Sequence, residues 1–455
     1  MILRFVKKEK RMPPKSSAIE KVLLEVKEQN IKQISLWFTD IVGFLKSIDI
    51  TPRELEGALH DGFGFDGSSV EGFARIDESD MVALPDPSTF RVIPWSPNTS
   101  PTARLICDIR KPGGEPFEGD PRNVLKRNLE KASKYDYTFN VGPELEFFYL
   151  KNNAGTETID EGGYFDLTPP DIASDLRLET ILILEQMGIK VQSSHHEVAI
   201  SQHEIDLQYT DALTMADNIM TARLVVKEIA ERHGLYATFM PKPIFGVAGN
   251  GMHTHQSLFK NGRNVFYDKS DPFYLSQIAR HYTAGLLKHA PEICSVVSQW
   301  VNSYKRLVPG YEAPVYVSWA RRNRSDMIRI PMYQPGKENA TRIEFRVPDP
   351  ACNPYLAFSV ILAAGLDGIE KKTALVDPTE ENVYEMSPEE RQNRGIGSLP
   401  GNLFEAVSLT EKSALVRKAL GEHVFRSFVQ NKKIEWDNYR TQVSAYEVER
   451  YLPLL

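Results

Sequence analysis

Residues Phe139 to Leu150 read FNVGPELEFFYL. Side chains alternate between the faces of a strand, so Glu144 and Glu146 share one face while Leu145, Phe147 and Tyr149 share the other. One face is acidic and the other is core. The same parity recurs in TRIEFRV, where Arg342, Glu344 and Arg346 oppose Ile343, Phe345 and Val347, and in GMHTHQS, where His253 and His255 point the same way. Glu197 and Glu204 lie in two further strand-like runs, VQSSHHEVAI and HEIDLQY. Solvated sheet faces usually mix Lys with Glu and Thr, because like charges opposite one another destabilise a sheet. These faces hold acids, His and Arg with no Lys, and so require something cationic between the acids. Oxygen donors with one or two imidazoles and no thiolate suit Mg²⁺ or Mn²⁺ better than zinc or copper. Metal ions that bridge phosphate oxygens, with arginines to neutralise developing charge, are the parts phosphoryl transfer needs.

Outward from these runs, helical spacing marks Ala18 to Gln29, Arg122 to Tyr135, Ala212 to His233 and Pro272 to His289. ISLWFTDIVGFLKSIDI reads as two strands around a turn at Asp40 to Gly43. The order predicts an α+β protein with a flexible tail over 1–16, a small α+β domain over 17–112 and a large domain over 113–455 on an antiparallel sheet. The linker is KPGGEPFEGDP, rich in Pro, Gly and charge. The final SAYEVERYLPLL predicts a short helix ending in an apolar hook, which suggests a partner subunit.

The chain has 455 residues, 42% of them hydrophobic and 25% charged, enough for a sizeable core, and its net charge of -7 argues against nucleic acid as a partner. Three cysteines, Cys107, Cys294 and Cys352, form neither a disulfide framework nor a C-x-x-C pair, so a reducing cytoplasm is expected. No apolar run is long enough for a membrane span. GFGFDG at Gly62 to Gly67 matches the dinucleotide fingerprint G-x-G-x-x-G in letters only. It follows a helix-like run, RELEGALHD, and opens no helix, so no Rossmann site is expected.

Seven motifs, in order, then carry a family likeness: FDGSSVEGF (65–73), GPELEFF (142–148), SHHEVA (194–199), GMHTHQS (251–257), RLVPGYEAP (306–314), NRS (323–325) and RIEFRVPDPACNPY (342–355). From about Ile19 to its end the chain resembles the prokaryotic type I glutamine synthetases. The resemblance implies an N-terminal β-grasp domain and a C-terminal catalytic domain with a curved, barrel-like antiparallel sheet. It also implies a dodecamer of two hexameric rings with active sites shared between neighbours. The activity implied is ATP-dependent ligation of ammonia to glutamate through γ-glutamyl phosphate, with at least two Mg²⁺ or Mn²⁺ ions per site.

By motif, Glu146, Glu197 and Glu204 would hold one metal, and Glu144, His253 and Glu344 the second. Glutamate would meet Glu146, Gly249, Arg306 and Arg346; ATP would meet Tyr209, His255, Ser257, Arg324 and Arg342. Ammonium would be received by Asp66, Ser69 and Glu312, with Asp66 as proton acceptor, Glu312 on a flap shielding the intermediate, and Arg324 facing the phosphates. Ala248, Gln192 and Asn339 depart from the pattern. With no insertion between Tyr149 and Tyr164, the chain resembles the alpha subtype, in which Tyr384 is not an adenylylation site and Arg75 is linked to glutamine feedback. A γ-glutamyl polyamine or amine ligase on the same scaffold, or a catalytically inactive relative, are the alternatives.

Overall fold

A computed structural model describes residues 15–70, 72, 79–168, 171–323 and 326–455. The chain divides into two compact units, Met1–Phe38 with Leu45–Ser69 and Ala74–Phe117, and Thr39–Phe44 with Val70–Phe73 and Glu118–Leu455.

In the first unit a mixed sheet runs in the order Leu45–Ile50, Gln33–Thr39, Thr102–Arg110, Asp80–Pro85, Phe63–Asp66. Gln33–Thr39 and Thr102–Arg110 are parallel, while Asp80–Pro85 runs antiparallel to both of its neighbours. The helix Lys15–Glu28 begins inside the stretch expected to be a tail. GFGFDG has the structure its context predicts: Leu55–Asp61 is a helix, Gly62 ends it at φ +84°, and Phe63–Asp66 is a strand. A Cβ on Gly62 would lie 2.3 Å from Val82 Cγ1, so the glycine serves the helix end and its close packing.

The second unit is built on the strand Thr138–Leu150. It pairs antiparallel with Thr254–Lys260 on one side and with Gln202–Leu207 on the other. Ile343–Phe345 and Ile328–Arg329 extend one side of the sheet, and Val191–His196 extends the other. The apolar face predicted for this strand is fully buried, with Phe147 and Tyr149 rings edge to face at 5.1 Å. Burying each such ring contributes roughly 1.5–3 kcal/mol.

Two element boundaries differ from the sequence reading. The helix expected from Pro272 begins at Gln277, because Asp271 Oδ1 accepts from the backbone of Phe273 and Leu275 and Ser276 caps the first turn. It then continues through Pro291 to Val297, its last turns buried. VQSSHHEVAI stops being strand at His196; beyond it the chain turns, with Ser201 at φ +58°, so Glu197 sits past the strand end. The C-terminal helix Ala445–Tyr451 carries a Ser444–Glu447 capping box, and Leu452, Leu454 and Leu455 after it are exposed. Among the described residues no helix is long and apolar enough to cross a membrane.

Behind the sheet, Gln277–Val297 and Pro354–Glu370 approach at glycines. A Cβ on Gly368 would lie 2.1 Å from the His281 carbonyl, and one on Gly285 2.2 Å from that of Ala364. On an open helix Gly→Ala would stabilise by up to about 1 kcal/mol. Here Gly368→Ala should destabilise by about 1–3 kcal/mol through overpacking, read as a lowered melting temperature. A raised melting temperature would contradict this packing.

Candidate active site

The acidic face of the central strand places three glutamates close together. Glu146 stands directly opposite Glu204 in the antiparallel register, and the Glu197 carboxyl lies within hydrogen-bonding reach of Glu204. Burial, with the nearby charges of other glutamates, pushes Glu146 and Glu204 well above the usual carboxylate range. Burial likewise pushes Glu197 up to about 7. Glu146 is held in place all the same: Oε2 accepts from Gln202 Nε2 at 3.0 Å and from the Gly251 amide at 2.8 Å. A Cβ on Gly251 would lie 2.6 Å from Arg306 Nη2 and 2.9 Å from His253 Nε2, so a larger residue there would displace both side chains.

Glu144, two residues along the same face, is held between two imidazoles. His253 Nδ1 lies 2.8 Å from Oε2 and His255 Nε2 lies 2.7 Å from Oε1. Burial pushes Glu144 up, and the two histidines outweigh it and hold the carboxyl well below the ordinary range. Arg342 Nε donates to His255 Nδ1 at 3.1 Å, which puts the ring proton on Nε2, facing Glu144. Glu344 lies between Arg346, whose Nη1 donates at 2.6 Å, and Arg329. Burial pushes Glu344 up, but the Arg346 guanidinium dominates and holds it at about 2.

Ligand atoms of Glu144, His253 and Glu344 lie within 4.8 Å of one another, as do those of His195, Glu197 and Glu204. The first set is the trio expected from sequence; the second brings in His195, which parity alone did not single out. Buried acids facing acids, with no lysine among them, fit a divalent cation.

Two cavities flank this face. The smaller, about 440 Å³, is lined by Glu146, Gly249, His253, Arg306, Glu312 and Arg346. The larger, about 750 Å³, is lined by Glu144, Tyr209, His255, Ser257 and Arg342, with Gln192 and Asn339 also in its wall. Arg306 has its fork largely committed to backbone, donating to the carbonyls of Arg346, Val347 and Pro348. Arg346 Nε, by contrast, is buried with no hydrogen-bond partner among the described residues, a donor suited to a bound anion. Gly249 is forced by space, since a Cβ would lie 2.3 Å from the Pro241 carbonyl.

The loop carrying Glu312 is tied at three successive residues. Lys242 Nζ lies 3.9 Å from the Tyr311 ring centre, Arg346 Nη2 donates to the Glu312 carbonyl at 3.3 Å, and Tyr384 donates to the Ala313 carbonyl. These ties hold Glu312 at φ +57°, a strained value for a residue with a side chain. Asp66 and Ser69 are exposed in the first unit, and hydrogen bonds from Ser68 lower the Asp66 pKa. Arg324 and Arg75 lie outside the described residues.

A family model described as the glutamine synthetase catalytic domain matches residues 118–451, and one described as the glutamine synthetase β-grasp domain matches residues 30–112. The chain belongs to the glutamine synthetase family. Its fold is therefore a β-grasp domain followed by the catalytic domain, and the family's use of ATP and a divalent metal matches the acidic face and flanking cavities. The glutamine synthetase of Methanosarcina mazei is 52% identical over 97% of this chain and 99% of its own. That of Mycolicibacterium smegmatis is 53% identical over 96% and 99%. The solved GmaS/ADP complex superposes with a TM-score of 0.87 at 32% identity, covering 95% of this chain and 99% of that one.

The raised carboxylates set a pH dependence. An unfolded glutamate ionises near 4.5 and folded Glu197 near 7, so the proton taken up by the folded chain stabilises it below about 4.5, and that contribution is lost as pH rises to 7. A bound divalent cation favours the ionised form. His253, which burial holds down to about 4, is already neutral over this window. The gain in melting temperature on replacing chelator with Mg²⁺ should therefore widen from pH 5.5 to pH 7.5. A constant or narrowing gain would show that these carboxylates do not hold the ion.

Proposed function

We propose that the chain makes glutamine in two steps through γ-glutamyl phosphate, with glutamate in the smaller cavity and the ATP phosphates in the larger. ATP-dependent glutamine synthesis is the activity of the family to which the chain belongs. The observation that carries the two-step reading is the placement of Glu144, whose oxygens contact His253, in the wall of the smaller cavity, and His255, in the wall of the larger. One carboxylate thus links the two cavities.

In the first step the γ-carboxylate of glutamate attacks the γ-phosphorus of ATP and ADP leaves; in the second, ammonia attacks the acyl carbon and phosphate leaves. Arg346 meets bound glutamate through Nε, with Arg306, Glu146 and Gly249 around it. Tyr209, His255 and Ser257 hold the nucleotide, while Arg342 and Arg324 balance phosphate charge. Mg²⁺ or Mn²⁺, at least two per site, held by Glu146, Glu197 and Glu204 and by Glu144, His253 and Glu344, would supply charge neutralisation for the phosphate oxygens. Asp66 takes the proton from ammonium, with Ser69 beside it, and Glu312 keeps water from the acyl phosphate.

By resemblance Asp66 serves a neighbouring subunit's site in a cytoplasmic dodecamer of two hexameric rings, and the exposed apolar residues Leu452, Leu454 and Leu455 support subunit contacts. Arg75 is the residue proposed for glutamine feedback.

Acceptor choice tests the reading. With ATP and glutamate, ammonium should support turnover where polyamines, methylamine and ethanolamine do not. Asp66→Ala should lower kcat/KM for ammonium by about 10²–10⁴-fold while leaving ATP affinity unchanged. Preference for an amine over ammonium would assign the chain to amine ligation instead, and an unimpaired Asp66→Ala would remove the proposed proton acceptor.

A further inference from the structure

Strand parity sends His195 and Glu204 to the site face and sends their neighbours His196 and His203, also opposite one another, to the rear. There they meet Asp160, and all three side chains are fully excluded from solvent. His196 Nδ1 lies 2.8 Å from the Glu197 carbonyl and Nε2 lies 3.1 Å from Asp160 Oδ1. Both ring nitrogens thus face acceptors, one on the Glu197 backbone and one on Asp160. His203 Nδ1 can only accept from Arg177 Nη1, at 2.8 Å, which leaves its proton on Nε2, 3.6 Å from Asp160 Oδ2. Arg177 grips Asp171 through both Nη nitrogens. Asp160 and Asp171 thus join His196, His203 and Arg177 in one buried network.

The same cluster anchors the turn that follows Glu197. Asp160 Oδ1 also accepts from the Ser201 amide at 2.8 Å, and Ser201 Oγ accepts from the Ile159 and Asp160 amides at 2.7 and 3.2 Å. Ser201 is the residue at φ +58°, and the Glu197 amide donates to the Gln202 carbonyl at 2.7 Å to close the turn. The backbone of Glu197 is therefore held from behind at its own carbonyl and across the turn, while its carboxylate faces Glu204, a like charge in a buried place.

We propose that His196, clamped by Asp160, is a positioning residue that holds Glu197 in place for divalent-cation binding. This rests on the metal reading given under Proposed function. Cation ligands depend on the groups that orient them, and loss of such a group typically weakens metal binding by about 10–100-fold.

The test is calorimetric titration of Mn²⁺ into chelator-stripped protein, with circular dichroism confirming the fold. His196→Ala should weaken binding by about 10–100-fold. His196→Asn, which keeps a donor where Nδ1 was, should recover most of the affinity. If His196→Ala fails to fold, Asp160→Asn replaces it, because it keeps an acceptor for Ser201 while removing the carboxylate that faces the His196 ring, and it should weaken Mn²⁺ in the same direction. The parent's own titration separates two failures. A parent that binds no Mn²⁺ overturns the metal reading and this inference with it. A parent that binds, alongside folded variants of unchanged affinity, overturns this inference alone.

Discussion

Glu146 and Glu204 face each other across adjacent antiparallel strands, and Glu197 adds a third carboxyl beside Glu204. Like charges in that position destabilise a sheet, and burial makes each charge costlier still. The remainder of the catalytic unit can be understood as what makes this tolerable. Aromatic residues on the opposite face of the same strand keep the sheet packed, and the Gly251 amide and Gln202 hold the Glu146 carboxyl in place. The proposed divalent cation would supply the charge that the protein omits.

The charge pattern along the strand is asymmetric, and the asymmetry divides the work. Glu146, Glu197 and Glu204 are pushed up, and among the described residues their ion-pair partners are imidazoles alone, His195 at 3.7 Å from Glu204 and His253 at 3.9 Å from Glu146. Glu144 and Glu344 are pulled down by histidines and by Arg346. The first group therefore gains most from a cation. The second is already ionised and oriented, and its partners reach into both cavities: Arg342 through His255 on one side, Arg346 on the other.

Much of this was legible from period-two parity alone, because a strand face is a local property: FNVGPELEFFYL, GMHTHQS and TRIEFRV each carry their share of the site within a few residues. The parts that were not legible are those whose partners lie far apart or whose role is played by backbone. Asp160, Asp171 and Arg177 precede His196 and His203 by tens of residues, and nothing in their spacing says that they meet. Glu197 was read as strand, and it lies beyond the strand end because the Ser201 turn intervenes. Most of the Arg306 fork is spent on backbone carbonyls, a use of a side chain that no sequence pattern records. The helix expected at Pro272 began late because Asp271 and Ser276 compete locally for the backbone.

If one acidic strand brings glutamate and the ATP phosphates together, the γ-carboxylate itself must become bonded to phosphorus. Glutamate labelled with ¹⁸O in both γ-carboxylate oxygens, turned over with ATP and ammonium, reports this directly by mass spectrometry of the released phosphate. The account predicts one ¹⁸O in each phosphate and one retained in the amide of each glutamine. Phosphate free of label, with glutamine formed, would mean that the carboxylate never met the phosphorus and would contradict it.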